Sequence, residues 1–90
     1  MYKIIYTREA KTIIDNLTLK KKRQIKDAVE RIARKPDIGK HLTHELKGLL
    51  SYRAGVYRII YRIFYKEILV LILTIGHRKE IYKKAAKKLR

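Results

Sequence analysis

The chain has no cysteine and no tryptophan, one proline, one methionine and only 8 acidic residues. Without cysteine there can be no disulfide, no thiolate nucleophile and no cysteine-ligated metal. One proline and four glycines in 90 residues leave no stretch that reads as a flexible linker or a low-complexity segment, and no repeat is visible. A single domain over residues 1–90 is expected, because compact domains rarely divide below that size. The longest mostly apolar run, Ile68 to Ile75, is far short of the roughly 20 residues that a membrane span needs. The opening Met1-Tyr2-Lys3-Ile4-Ile5-Tyr6 alternates and then turns charged, unlike a secretory leader. These absences lead to the expectation of a soluble, cytoplasmic domain.

What the chain has in excess is positive charge: 24 Lys and Arg against 8 Asp and Glu, for a net +16. Such an excess opposes folding by self-repulsion and usually answers to an anionic partner. A phosphate backbone, an anionic membrane surface or an acidic protein could each use it. A membrane surface would call for a basic amphipathic helix with bulky apolar residues opposite, and the basic segments here do not carry that pattern. The 47% hydrophobic content, with 14 isoleucines, is enough for one small core and too much for a disordered tail. Nucleic acid is therefore the expected partner.

Met1 to Tyr6 reads as a short strand by its alternation. Thr7 can cap a first helix, whose apolar stripe is Ala10, Ile13, Ile14 and Leu17. Thr18 can cap a second helix that buries Ile25, Ala28 or Val29, and Ile32 and ends before Pro36. After a turn at 37–39, β-branched and aromatic residues dominate, and strands are expected at about 45–54, 56–65 and 67–76. The last of these is apolar on both faces, which predicts a central, covered strand. Residues 79–90 form a basic tail with helical propensity. The expected architecture is α+β, in the order β-α-α-β-β-β, with a helical hairpin on one face of a mainly antiparallel four-stranded sheet.

The charges fall into two kinds. On the second helix, Asp27 and Glu30 stand four residues before Arg31 and Arg34, which predicts a solvated face laced by side-chain ion pairs. The strand-borne charges are different. In the run Tyr57-Arg58-Ile59-Ile60-Tyr61-Arg62-Ile63, a period of two sends Tyr57, Ile59, Tyr61 and Ile63 to the helices and Arg58 and Arg62 to the other face. Arg53, on the preceding strand, can join them across the turn at Gly55, and no acid within this hairpin offsets the three. His77 lies where the apolar strand runs out, in Gly76-His77-Arg78-Lys79-Glu80-Ile81-Tyr82, and is the side chain there that could exchange protons near neutral pH. His41, His44 and Glu45 are close in sequence but lack the frame of a metal site, so no metal or other cofactor is expected.

These segments carry a family resemblance. Leu46-Lys47-Gly48, then Tyr52-Arg53-Ala54-Gly55-Val56-Tyr57-Arg58, then Gly76-His77-Arg78 followed by Tyr82 look like the RelE/ParE toxin superfamily, and most like its RelE branch. With the leading strand and helices included, the likeness covers nearly the whole chain. It implies a metal-independent endoribonuclease of a type II toxin–antitoxin system that cuts mRNA in the ribosomal A site. It also implies an acidic, RelB-like antitoxin as partner, and no small-molecule substrate. By position, Arg58 matches the hairpin arginine that stabilises the phosphate, Arg78 the arginine on the leaving-group side, and Tyr82 the tyrosine that stacks on the RNA. Arg53 matches a basic hairpin position, and His77 a site often held by histidine or lysine. Lys47, Arg62, Lys79 and Lys83 complete the expected RNA contacts. Ser51 stands where the pattern often has its first hairpin base, and Val56 where aspartate or asparagine is common.

The chemistry agrees with that implication. In-line attack by a ribose 2′-OH needs a proton acceptor, a donor for the departing 5′-oxygen and positive charge for the phosphorane. Arginine's planar fork suits the phosphate, while its pKa above about 12 makes it a poor base. Charge stabilisation is expected from Arg53, Arg58 and Arg78, proton transfer from His77, and base stacking from Tyr82. Two other readings share the sequence: a ParE-like poison of DNA gyrase, and a non-catalytic RNA-binding member neutralised by its antitoxin.

Overall fold

The computed structural model describes residues 1–77 and 80–88. Strand β1 (Lys3–Tyr6) is followed by helices α1 (Arg8–Asp15) and α2 (Leu19–Arg34). A 3₁₀ turn at Pro36–Ile38 leads to the two-residue strand β2 (Lys40–His41), and a second one at His44–Leu46 leads to β3 (Leu50–Ala54). β4 (Tyr57–Phe64), β5 (Leu69–His77) and helix α3 (Ile81–Lys88) complete the chain. Both expected threonines cap their helices: Thr7 Oγ1 accepts from the Ala10 amide at 3.1 Å and Thr18 Oγ1 from the Lys21 amide at 3.4 Å.

The sheet has five strands in the order β1-β5-β4-β3-β2. β1 runs parallel to β5 and the remaining pairs are antiparallel. β5 is central as expected, with β1 on one side and β4 on the other. Two features depart from the four-stranded expectation. β2 pairs Lys40 with Ser51 and His41 with Leu50, and a strand of two residues is too short to show any period. The strand expected from residue 45 starts only at Leu50, because Gly48 takes φ +94° and turns the chain first.

The sheet is also covered on both sides, not one. Ala10, Ile25, Ala28, Val29 and Ile32 of α1 and α2 pack on Tyr57, Ile59, Tyr61 and Ile63 of β4 and on Val70, Ile72 and Ile75 of β5. On the opposite face Ile81 and Ala85 of α3 pack on Leu49, Ile60 and Leu73. Gly76 permits that second contact: a Cβ there would lie 2.9 Å from Ile81 Cδ1. No helix among the described residues is long and apolar enough to cross a membrane.

β4 and β5 are joined by an irregular ladder. Ile60 pairs with Thr74 but Tyr61 pairs with Ile72, so Leu73 is an extra residue on β5, a β-bulge. Thr7 holds the bulge in place: its amide donates to the Ile72 carbonyl at 3.1 Å and its hydroxyl to the Leu73 carbonyl at 2.6 Å. One threonine thus caps α1 and satisfies the carbonyl that the bulge leaves outside the ladder.

Tyr61, 0% exposed, pins β4 to the loop before β2. Its hydroxyl donates to the Pro36 carbonyl at 2.6 Å and accepts from the Gly39 amide at 3.1 Å. Gly39 is required there, since a Cβ would collide with that hydroxyl. Burial pushes the Tyr61 phenol up to about 12, while the Gly39 amide pulls the other way. A folded-state pKa above the unfolded value near 10 stabilises the fold below pH 10 and is lost as pH rises toward 12. Wild type should therefore lose stability between pH 10 and 12 more steeply than Tyr61→Phe, as read by denaturant melts. Parallel pH profiles would contradict this role. Near neutral pH the variant should be about 1–3 kcal/mol less stable, because the Gly39 amide loses its acceptor.

Candidate RNA-binding face

The pleat of β4 divides its side chains as the alternation predicts. Tyr57, Ile59, Tyr61 and Ile63 enter the core under α1 and α2, and Arg58, Ile60 and Arg62 face the side that carries α3. Arg53 is the cross-strand partner of Arg58, so both guanidinium groups leave the same face. Gly55 takes φ +63°, the left-handed conformation that a two-residue hairpin loop needs at its first position. Val56 is the second loop residue and is not in that conformation.

Arg53, Gly55, Val56, Tyr57 and Arg58 border one open cleft of about 230 Å³. Each arginine is tethered once. Arg53 Nε donates to the Gly55 carbonyl at 3.1 Å, and Arg58 Nη1 donates to Ser51 Oγ at 3.3 Å. The remaining guanidinium N–H groups point to no carboxylate: among the described residues neither arginine has an ion pair. Placing two like charges opposite each other on a sheet is destabilising, and among the described residues no anion offsets the pair. Arg62 leaves the same face farther along β4, with its guanidinium 5.0 Å from the Phe64 ring.

Tyr82 stands half-buried on α3, against the Ile60–Ile81 cluster on the same side of the sheet. It borders a cavity of about 230 Å³ with Lys40, His41, Leu42, Thr43 and Leu46. Lys83, exposed, lines a neighbouring hollow with Tyr82, and Lys47 is exposed in the turn before β3. Arg78 and Lys79, both expected at the site, lie outside the described residues.

His77 is placed differently from the expectation. It pairs with Tyr57, and the two rings meet with centroids 5.0 Å apart at 48°. Lys21 Nζ stands 5.6 Å from the same tyrosine ring. His77 therefore lies on the α2 side of the sheet, away from Arg53 and Arg58, and the expected convergence of imidazole and guanidinium is not formed. The Leu73 bulge is the cause. Strict alternation from Ile72 would send residue 77 to the arginine face, and one extra residue reverses it.

Two more features were not read correctly from the sequence. Lys40, the cross-strand partner of Ser51, belongs to the arginine face and reaches the Tyr82 cavity. It was missed because β2 carries no periodic signal. On α2, the expected pairs of Asp27 with Arg31 and of Glu30 with Arg34 do not form as ion pairs.

A small α+β domain with an arginine pair that has no ion pair among the described residues, and a separate cavity bordered by Tyr82, is the class that fold and site define. Comparison places it more narrowly. Residues 4–82 match the family model described as the ParE toxin of type II toxin–antitoxin systems. The chain is 34% identical to a chain of the RelBE2 toxin–antitoxin complex of Mycobacterium tuberculosis, over 86% of this chain and 98% of that one, with a TM-score of 0.71. Toxin RelG of the same organism is 45% identical over 47 residues. That match covers 52% of this chain and 54% of the relative, so it spans about half the length of the curated protein. The isolated Escherichia coli RelE toxin shares the fold over the full length of both chains, at 18% identity and a TM-score of 0.74. The chain belongs to the RelE/ParE superfamily of toxins of type II toxin–antitoxin systems.

If the arginine face is where single-stranded RNA lies, binding should weaken with salt through counterion release. Replacing Arg53, Arg58 or Lys40 by alanine should each lower the log–log salt slope by about 0.7, one phosphate contact on a single strand. Arg34→Ala, on α2 behind the sheet, should leave the slope unchanged. Fluorescence anisotropy on a short unstructured oligonucleotide measures it, and equal slopes for all four variants would remove the face from consideration.

Proposed function

We propose that this toxin is a ribosome-dependent endoribonuclease that cuts mRNA in the A site without a metal ion. The observation that carries the reading is the Arg53–Arg58 rung, two guanidinium groups on one cleft with N–H donors to spare and no carboxylate partner among the described residues. A scissile phosphate bridging them would find charge in place before it develops, the arrangement that lowers a barrier without reorganisation. The 2′-oxygen bonds to phosphorus as its proton passes to water, the bond to the 5′-oxygen breaks to leave a 2′,3′-cyclic phosphate, and the 5′-oxygen takes a proton from water. Arg53 and Arg58 stabilise the phosphorane, and Arg78, just beyond β5, adds charge on the leaving-group side. Tyr82 offers a stacking face to an unpaired base next to the cleft, with Lys40, Lys47, Arg62, Lys79 and Lys83 along the strand's path.

His77 is not assigned the proton transfer, because its ring rests on Tyr57 on the other side of the sheet. The protein works in the cytoplasm under this reading, where ribosomes are. Its partner is a small acidic RelB-like antitoxin, for which a toxin of net charge +16 has strong electrostatic attraction. Solved relatives are described as RelBE toxin–antitoxin complexes, which supports that assignment.

A second reading, a ParE-like gyrase poison, is favoured by the family model that the chain matches. One experiment separates the two. In a translation extract, wild type should yield discrete mRNA fragments with EDTA-treated toxin as well as without, Arg58→Ala should lower the cleavage rate by at least about 100-fold, and His77→Ala should stay within a few fold of wild type. Intact mRNA together with inhibited gyrase supercoiling would establish the second reading instead.

A further inference from the structure

Two polar side chains are buried among the described residues, Ser51 and Thr74, and of these Ser51 is the one that touches the arginine pair. It is 1% exposed and pairs with Ile60, two residues along β4 from Arg58 and on the same face. That diagonal is within reach of a long side chain, and Arg58 Nη1 spans it to donate to Ser51 Oγ at 3.3 Å. A guanidinium carries five N–H donors in a rigid fork. Directing one of them inward to a fixed hydroxyl orients the whole plane and leaves the rest for the cleft.

We infer that Ser51 is a positioning residue: its buried hydroxyl fixes the orientation in which Arg58 meets the phosphate. The inference rests on the nuclease reading for its consequence, though not for its geometry. It also gives a different meaning to the serine that stands where related sequences often carry a basic residue. A lysine buried beside Arg58 would bring like charges together and replace an acceptor by a donor, so the guanidinium would be pushed off the sheet instead of held to it. Ser51 is then part of how this cleft works, and not the remnant of a lost base.

The test uses Ser51→Ala, Ser51→Thr, Ser51→Val and Ser51→Lys in the full chain. Threonine keeps the hydroxyl, and valine supplies threonine's shape without it. In the translation extract, Ala and Val should lower kcat by about tenfold while the apparent KM for ribosomes stays within about twofold, the signature of lost orientation in the transition state. Thr should recover kcat to within about threefold of wild type, and Lys should lower it. Thermal melts of Ala and Thr should agree, which separates positioning from stability. A readout independent of cleavage is the heteronuclear NOE of the Arg58 Nε–Hε group, which should fall in Ser51→Ala and be restored in Ser51→Thr. Wild-type kcat and an unchanged NOE in Ser51→Ala, or a higher kcat in Ser51→Lys, would overturn the assignment. If wild type cuts no mRNA, the nuclease reading fails, and the NOE still decides whether Ser51 holds Arg58.

Discussion

The register of β4 between β3 and β5 is the constraint on which the rest depends. Its side chains alternate without interruption: Tyr57, Ile59, Tyr61 and Ile63 toward α1 and α2, Arg58, Ile60 and Arg62 toward the face that carries α3. A slip of one residue would exchange the two sets. It would bury two guanidinium groups with no carboxylate to receive them, at several kcal/mol each. It would also break the Tyr61 hydroxyl's bonds to Pro36 and Gly39. The interactions that fix the core therefore also aim the arginines. No separate device is needed to bring Arg53 and Arg58 onto one rung, because the ladder does so.

Where the sequence carried a period, it was a good guide. The stripes of α1 and α2, the threonine caps and the two faces of β4 all follow from spacing, and the structure forms each of them. What could not be read is whatever lies outside periodicity. β2 has two residues and owes its existence to pairing with Leu50 and Ser51. The parallel contact of β1 with β5 joins segments more than 60 residues apart. The docking of α3 depends on a glycine that leaves room for Ile81.

The site shows the same division. The shared face of Arg53 and Arg58 was legible, because alternation along β4 and pairing across the hairpin place them there. His77 was placed wrongly because a single inserted residue at Leu73 inverts the alternation, and nothing in Ile72-Leu73-Thr74 announces a bulge. Bulges near functional sites re-aim side chains, and this one turns the imidazole onto Tyr57. Ser51 looked like a missing base in one dimension. In three dimensions it is a buried acceptor for Arg58. The face of α2 was expected to be laced by ion pairs, yet Asp27 and Glu30 form none among the described residues; with seven Lys and Arg against those two acids, the helix adds positive charge on the other side of the sheet. That is consistent with a protein whose partner surrounds it, at the cost of self-repulsion in the free state.

Under the proposed mechanism a phosphodiester sits across the Arg53–Arg58 rung. A crystal structure of the toxin with a short RNA carrying one 2′-deoxy substitution at the cleavage position, which removes the nucleophile, tests it most directly. The phosphate next to that sugar should lie within hydrogen-bonding distance of both guanidinium groups, with an adjacent base near Tyr82. A phosphate held instead on the α2 side, beside Lys21 and His77, or touching neither arginine, would contradict it.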